Sequence, residues 1–188
     1  QMLDKVITEL DWSSFPLKIQ IETEDLYPEI TISQILDRGI IGEIATASTY
    51  FDLAAANRSH NISLAAKKLD NILLAPEEIF SFNQIVGKAG LEDGFKEAPV
   101  IVNDRVVMGP GGGICQVSTT IYNTALWAGL GIEERHNHGL PVGYVAPGYD
   151  ATVAYNYKDL KFRNDTPFYI LIHLQVFSNE LKVTFFGD

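Results

Sequence analysis

The hydrophobic and polar positions of the chain predict helices before about residue 130 and strands after it. Residues 61–74 carry apolar side chains at i, i+3, i+4 and i+7, with Asn61 as the N-cap residue and Pro76 beyond the end. That pattern predicts an amphipathic helix. Residues 114–128 carry a second apolar stripe that ends at Gly129, and they predict another helix.

Shorter patterns complete the predicted topology. One further helix is predicted over residues 32–36. The predicted extended segments are residues 17–22, 40–50, 79–82, 142–145, 151–157, 168–176 and 181–186, together with a hairpin of residues 100–102 and 105–108. Because helices come first and antiparallel strands later, we predict an α+β fold in which N-terminal helices and the helix 114–128 pack on a mainly antiparallel sheet.

The composition is that of an acidic globular protein. Its 188 residues are 46% hydrophobic and 20% charged, enough for one domain, or for one domain and a fragment of another. The chain has 14 Lys and Arg against 24 Asp and Glu, so its net charge is −10, which argues against nucleic acid as the main partner. No run approaches the ~18 apolar residues of a membrane span, and residues 1–9 lack a signal-peptide pattern.

The only cysteine, Cys115, follows Gly111-Gly112-Gly113 directly and opens the predicted helix 114–128. Unpaired N–H groups and the helix dipole at such an N-terminus stabilise a thiolate, and the glycines let a substrate approach the backbone. The sequence therefore predicts a nucleophilic cysteine. The alternative is a small buried hydrophobic residue, which is the common environment of a free cysteine.

Two histidines, His136 and His138, are candidates for the general base that this thiol needs. Both side chains point to the same side if the segment is extended, and Gly139 leaves space beside the second imidazole, which favours His138. Asp150 could orient that imidazole as the third member of a triad. The alternatives are an exposed polar turn for the histidines and a strand-entrance aspartate for Asp150.

The main alternative use of these residues is a zinc site. Cys115, His136, His138 and Asp150 are all of types that bind zinc, but their spacing has no zinc signature, so no metal is expected. The glycine-rich segment before the cysteine lacks the Lys-Ser/Thr pair of a phosphate-binding loop, so no nucleotide cofactor is expected either.

Other polar side chains could surround the cysteine. Ser118, Thr119 and Tyr122 share a face of the predicted helix with Cys115, and we expect this face to line a cleft. Arg163 could contact a substrate, although a turn at a strand end explains it equally well.

Residues 111–123, GGGICQVSTTIYN, resemble the signature of the VanW domain family. The resemblance covers residues 46–188, and residues 1–45 resemble the C-terminal part of a peptidoglycan-binding domain often found ahead of VanW. The chain departs from the commoner pattern at Gly139, where serine often follows the histidine. The supporting matches are Asn57-Arg58, Asn61-Ile62, Phe80-Ser81-Phe82-Asn83, Glu134-Arg135 with His138, Tyr144-Val145-Ala146-Pro147-Gly148, Asp150-Ala151-Thr152-Val153 and Leu160-Lys161-Phe162-Arg163-Asn164.

The resemblance implies a peptidoglycan L,D-transpeptidase that forms 3-3 cross-links between stem peptides through a Cys115 thioester. His138 would be the base, Asp150 would orient it, and backbone N–H groups of residues 113–116 would form the oxyanion hole. The order cysteine, histidine, aspartate is also similar to papain-like and transglutaminase-like layouts. The residues expected to bind substrate or the oxyanion are Gly112, Gly113, Gln116, Ser118, Thr119, Tyr122, His136 and Arg163.

The resemblance also implies an extracytoplasmic location, in the cell wall or on the outer face of a membrane through an anchor outside this sequence. Two other functions stay open. Water could capture the same thioester, which would make the protein a cysteine peptidase or amidase of cell-wall peptides. Alternatively, the protein binds the cell wall without catalysis, with Cys115 buried.

Overall fold

The computed structural model describes residues 31–102 and 105–188. The chain divides into two compact units, and the second of them, Ile32–Asp188, contains every helix and strand described below. The predicted strand 17–22 lies outside the described residues, and the predicted domain boundary at residue 46 stays a prediction. No helix in the described ranges is both long and apolar enough to cross a membrane.

Helices and antiparallel strands are both present, which confirms the predicted α+β class. The helices are α1 (Ile32–Asp37), α2 (Ala56–Leu69), α3 (Phe82–Val86) and α4 (Ile114–Trp127), with a 3-10 turn at Leu91–Asp93. The strands are β1 (Gly42–Tyr50), β2 (Ile72–Leu74), β3 (Ile79–Ser81), β4 (Glu97–Val102), β5 (Arg105–Pro110), β6 (Gly131–Glu134), β7 (Lys161–Arg163), β8 (Ile170–Phe177) and β9 (Glu180–Gly187).

The described strands form three antiparallel sheets. A four-stranded sheet has the order β1-β9-β8-β2, a three-stranded sheet has the order β3-β7-β6, and β4 pairs with β5. Alternate residues of β9, Leu181, Val183 and Phe185, are fully buried, as the period of two in a strand requires for a sheet with one covered face. A stack of Phe80, Phe162 and Phe185, with ring centroids 4.6 and 5.7 Å apart, joins the second sheet to the first.

Helix α4 lies at the centre of this core. Its apolar stripe of Val117, Ile121 and Ala125 is fully buried and packs with α2, β1 and β9. Its polar residues are buried as well, which the sequence analysis did not predict. They are tolerated because every buried side-chain nitrogen or oxygen among the described residues has a hydrogen-bond partner.

The predicted helix 61–74 was placed about five residues too late. Helix α2 begins at Ala56 and ends at Leu69, and Asn71 then adopts a left-handed φ of 61°, which breaks the helix and lets β2 begin. Asn61 is a buried residue within α2 rather than its N-cap. Its amide donates to the carbonyls of Lys96 and Gly112 at 2.8 and 3.0 Å and accepts from the Lys96 N–H at 2.8 Å, which ties α2 to the glycine segment.

Two predicted strands were wrong, and three short strands were missed. Residues 142–145 form turns, and residues 151–157 join no sheet, because Ala151 bonds to side chains of α4 and Ala154 closes a tight loop with Lys158. The missed strands β2, β6 and β7 are only three, four and three residues long, and β2 lies in residues that were predicted as the end of a helix. The predicted hairpin, the strand in 40–50 and the last two strands are confirmed as β4 with β5, β1, β8 and β9.

The close packing of Gly112 gives a testable prediction for the fold. A Cβ at this position would lie 2.6 Å from the Pro99 carbonyl oxygen and 2.8 Å from backbone and side-chain carbons of Ala98. We expect Gly112→Ala to lower the free energy of unfolding by about 1–3 kcal/mol, because the backbone must shift to relieve the clash.

The matched control is Gly42→Ala, where a Cβ would meet nothing within 4 Å. Thermal unfolding of both variants makes the comparison. A Gly112→Ala protein that melts at the temperature of the Gly42→Ala protein would contradict the packing described for the glycine segment.

Candidate active site

The glycine segment places Cys115 in the first turn of α4. Gly111 and Gly113 have φ values of 75° and 114°, in the region that favours glycine. The N–H of Ile114 donates to Gly111 O at 3.1 Å and that of Gln116 donates to Gly113 O at 3.0 Å. Among the described residues, the Cys115 N–H has no acceptor. Of the backbone donors of residues 113–116 predicted for an oxyanion hole, the N–H groups of Gly113 and Cys115 are therefore available, whereas those of Ile114 and Gln116 are occupied.

The Cys115 sulfur lies among polar partners at the edge of the core. Sγ is 3.6 Å from Thr152 Oγ1 and 3.6 Å from the Val153 carbonyl oxygen, and the His138 imidazole lies close enough to stabilise negative charge on it. The residue is partly exposed. Burial by itself raises the pKa of the thiol, but the hydrogen bonds and the positive charge of the imidazolium outweigh it and hold the pKa below its ordinary value.

His138 is the histidine that the structure places beside the sulfur. Its Nδ1 lies 2.6 Å from Asp150 Oδ2, which also accepts the backbone N–H of His138 at 2.6 Å. Because Nδ1 faces the carboxylate, Nε2 is left for Cys115. Burial lowers the pKa of His138, but its bonds to Cys115 and Asp150 raise it more, so the net direction is upward. The pKa shifts of the sulfur and the ring both favour a thiolate–imidazolium pair.

Asp150 is itself fixed by an arginine that the sequence analysis did not assign. Arg135 Nη2 donates to Asp150 Oδ1 at 3.0 Å and to Gly148 O at 3.0 Å, and Nε donates to Asp150 O at 2.7 Å. The Arg135 guanidinium also lies over the Tyr122 ring, 5.4 Å from its centroid. Burial raises the pKa of Asp150, but donors from His138 and the charge of Arg135 lower it below its ordinary value. Tyr122, whose ring lies against the Arg135 guanidinium, therefore supports the arginine that fixes Asp150.

The polar face of α4 was predicted to line an open cleft. It does not, because residues 150–153 cover it. Ser118 Oγ and Thr119 Oγ1 donate to the Ala151 carbonyl at 2.6 and 3.2 Å, and Thr119 Oγ1 accepts the Ala151 N–H at 2.9 Å. Both residues are fully buried. Ser118 and Thr119 thus hold Asp150 and Thr152 in place on either side of Ala151.

The Gln116 side chain is also committed to protein partners. It is buried, and its Nε2 donates to Thr49 Oγ1 at 2.9 Å and to Tyr50 O at 3.0 Å. Its Oε1 accepts from Arg58 Nη2 at 2.6 Å. The side chain therefore fixes α4 against β1 and positions Arg58. Gln116 was predicted to bind substrate, but its side chain is not free to do so.

His136 and Arg163 have partners away from the sulfur. His136 Nε2 lies 3.0 Å from Glu134 Oε1, and Arg163 Nε donates to Glu133 Oε1 at 2.8 Å. The pKa of Glu134 is lowered to about 2 by Lys161, by a backbone N–H and by the imidazole of His136. The two histidines thus have different partners, and His136 is not the candidate base.

The side chains considered for zinc do not form a metal-binding group. In residues 31–102 and 105–188, no three His, Cys, Asp or Glu side chains are placed together so that they could hold a metal ion. Cys115, His138 and Asp150 instead form a series in which His138 interacts with both the thiol and the carboxylate.

Comparison with known proteins gives the family of the chain. It is 40% identical over 173 residues to YoaR of Bacillus subtilis strain 168, an alignment that covers 92% of this chain and 57% of YoaR. It is 34% identical over 125 residues to the vancomycin B-type resistance protein VanW of Enterococcus faecalis strain V583, covering 63% of this chain and 46% of VanW. The chain thus spans about half the length of each relative.

No solved structure matches the chain. The family model described as VanW like protein matches residues 57–186, a range that includes helix α4 with Cys115, His138 and Asp150. The chain therefore belongs to the VanW-like family.

Proposed function

We propose that this protein is a cell-wall cysteine acyltransferase, an L,D-transpeptidase that joins peptidoglycan stem peptides by 3-3 cross-links outside the cytoplasm. The observation that carries the proposal is the series Cys115–His138–Asp150, in which His138 lies 2.6 Å from the Asp150 carboxylate and stabilises negative charge on Cys115. The series supplies a nucleophile, a base and an orienting carboxylate. Kinship with a protein named for vancomycin resistance supports a role in the cell wall.

In the first half-reaction, the Cys115 thiolate attacks the carbonyl carbon of the third residue in a donor tetrapeptide. A carbon–sulfur bond forms, and the negative charge that develops on oxygen is stabilised by the Cys115 N–H. The bond between this carbonyl and the terminal D-alanine breaks, and the His138 imidazolium gives its proton to the departing amine. A thioester on Cys115 and neutral His138 remain.

In the second half-reaction, the side-chain amine of the third residue of a neighbouring stem attacks the thioester. His138 accepts a proton from the amine, the carbon–sulfur bond breaks, and the thiolate–imidazolium pair is restored. The product is an amide between two third residues. Because Cys115 is a partly exposed residue, water can compete with the amine, and capture by water would release a tripeptide.

The nucleophile is tested with Cys115→Ser, which keeps the size of the side chain and removes the acidic thiol. Wild-type protein incubated with a tetrapeptide donor should gain the mass of the donor minus D-alanine, mapped to Cys115, and the variant should gain none. Intact-mass spectrometry measures the mass change of both proteins.

Addition of an acceptor stem then separates the functions, since a cross-linked dimer indicates transpeptidation and a tripeptide indicates hydrolysis. Release of D-alanine by Cys115→Ser at the wild-type rate would refute the assignment. Absence of any wild-type adduct would favour a binding protein without catalysis.

The role of Asp150 is tested with Asp150→Asn. Loss of the carboxylate should slow acylation by about 100-fold or more, because the imidazole loses its orientation and its positive charge is no longer stabilised. Asp70→Asn is the matched control: Asp70 Oδ1 bonds to His173 Nδ1 at 2.7 Å and to the Leu174 N–H at 2.8 Å, away from the sulfur. Equal losses in the two variants would contradict the triad.

The pH dependence of acylation follows from the same shifts. The active form needs the thiolate, which is lost as pH falls through the lowered pKa of Cys115, and the imidazolium, which is lost as pH rises through the raised pKa of His138. Acylation is therefore fastest in the pH range between these two pKa values. Asp150→Asn should narrow that pH range from both sides, because it destabilises the imidazolium that in turn stabilises the thiolate. A pH–rate profile of D-alanine release measures both limbs, and an unchanged profile would exclude this electrostatic role.

A further inference from the structure

Arg58 is a half-buried cation beside the candidate nucleophile, and it has no carboxylate partner. It lies on α2, its Nη2 donates to Gln116 Oε1 at 2.6 Å, and its guanidinium lies 5.8 Å from the centroid of the Tyr144 ring. Within residues 31–102 and 105–188, no Asp or Glu oxygen lies within ion-pair distance of it. Other partly buried arginines, such as Arg135, do have such a partner.

The Arg58 side chain runs along the start of helix α4. A Cβ on Gly113 would lie 3.1 Å from Arg58 Cγ and 3.1 Å from Arg58 O, so the stem of the arginine packs directly against the N-cap of α4. The guanidinium interacts favourably with negative charge on Cys115, whereas burial raises the pKa of Tyr144 so that its phenol stays neutral. The charged group therefore lies close to both the sulfur and the start of α4.

The electrostatics of this position favour an anionic ligand. Burial lowers the pKa of Arg58 more than its neighbours Tyr144 and Cys115 raise it, so the site lacks the counter-charge that a buried cation requires. The thiolate is already paired with His138. Gln116 holds one donor of the guanidinium and the Tyr144 ring supports its plane, so the other donors of the rigid fork are held in a fixed orientation that suits a carboxylate.

We propose that Arg58 is a specificity-determining residue that binds the C-terminal carboxylate of the acyl donor. This inference rests on the proposed function and identifies the part of the donor that is recognised. In a tetrapeptide donor, the residue that leaves carries its carboxylate one residue beyond the carbonyl that Cys115 attacks. A donor extended by one residue carries a neutral amide there, so Arg58 selects peptides in which only the terminal residue departs.

The first test compares two donors that differ only in that group, a tetrapeptide with a free C-terminal carboxylate and the same peptide with a C-terminal carboxamide. Wild-type protein should acylate with the carboxylate about tenfold or more faster, measured as kcat/KM from release of the terminal residue. Arg58→Gln should lose most of this preference by slowing the carboxylate donor alone, and Arg58→Lys should retain part of it.

The matched control is Arg105→Gln, which removes the same charge from an exposed position at the far end of the β4–β5 hairpin. It should keep the wild-type preference. An Arg58→Gln variant that keeps the preference for the carboxylate donor would overturn the proposal. So would a variant in which kcat/KM falls equally for both donors, since an equal fall indicates a role toward the thiolate or the oxyanion instead. Thermal unfolding of each variant checks that the fold is retained.

A second test needs no peptide chemistry and separates this inference from the proposed function. Cys115 is alkylated with iodoacetate, an anion, and with iodoacetamide, which is neutral. Arg58→Gln should lower the ratio of the two rate constants several-fold, whereas Arg105→Gln should leave it unchanged. An unchanged ratio in Arg58→Gln would exclude an anion site at the sulfur. A ratio that falls in a protein that never releases D-alanine would support the anion site and refute the transpeptidase.

Discussion

The interaction on which the site depends is the buried contact between the Asp150 carboxylate and His138. One oxygen of Asp150 accepts both the ring and the backbone N–H of His138, and the other accepts from Arg135. Positive and negative groups therefore alternate along the series Arg135, Asp150, His138 and Cys115. Because each charge is partly removed from water, each depends on its neighbours, and removal of one leaves an uncompensated charge. The same coupling lowers the pKa of the sulfur and raises that of the ring.

The backbone brings these groups together through helix α4 and the segment that covers it. The glycine segment starts the helix at the required point, and Asn61 fixes that segment to α2. Four to five residues further along the helix, buried hydroxyl groups bond to Ala151 and thereby hold Asp150 and Thr152 at the sulfur. The polar residues of α4 are thus part of the support of the site, and Arg58 lies beside the glycine segment at the other side of the helix start.

Much of this arrangement could be predicted from local sequence, and the failures have physical causes. The three glycines before Cys115 predicted a helix start at that point, and the structure has one. The space beside Gly139 favoured His138 over His136, and His138 is the histidine that interacts with Cys115. The polar face of α4 was misinterpreted, because a buried hydroxyl with a backbone partner looks the same in sequence as an exposed one. Arg135 and Arg58 were missed as site residues because their partners, Asp150 and Gln116, are distant in sequence. Such contacts depend on tertiary structure and leave no periodic pattern.

The charge state of Cys115 at neutral pH is the central claim, and a pH titration of thiolate ultraviolet absorbance tests it most directly. The Cys115→Ser protein supplies the baseline, since Cys115 is the only cysteine of the chain. We expect the absorbance to be present at neutral pH and to disappear only in acid, as pH falls through the lowered pKa of the thiol. Absorbance that first appears in alkaline solution, at or above the ordinary pKa of a cysteine, would contradict the thiolate–imidazolium pair.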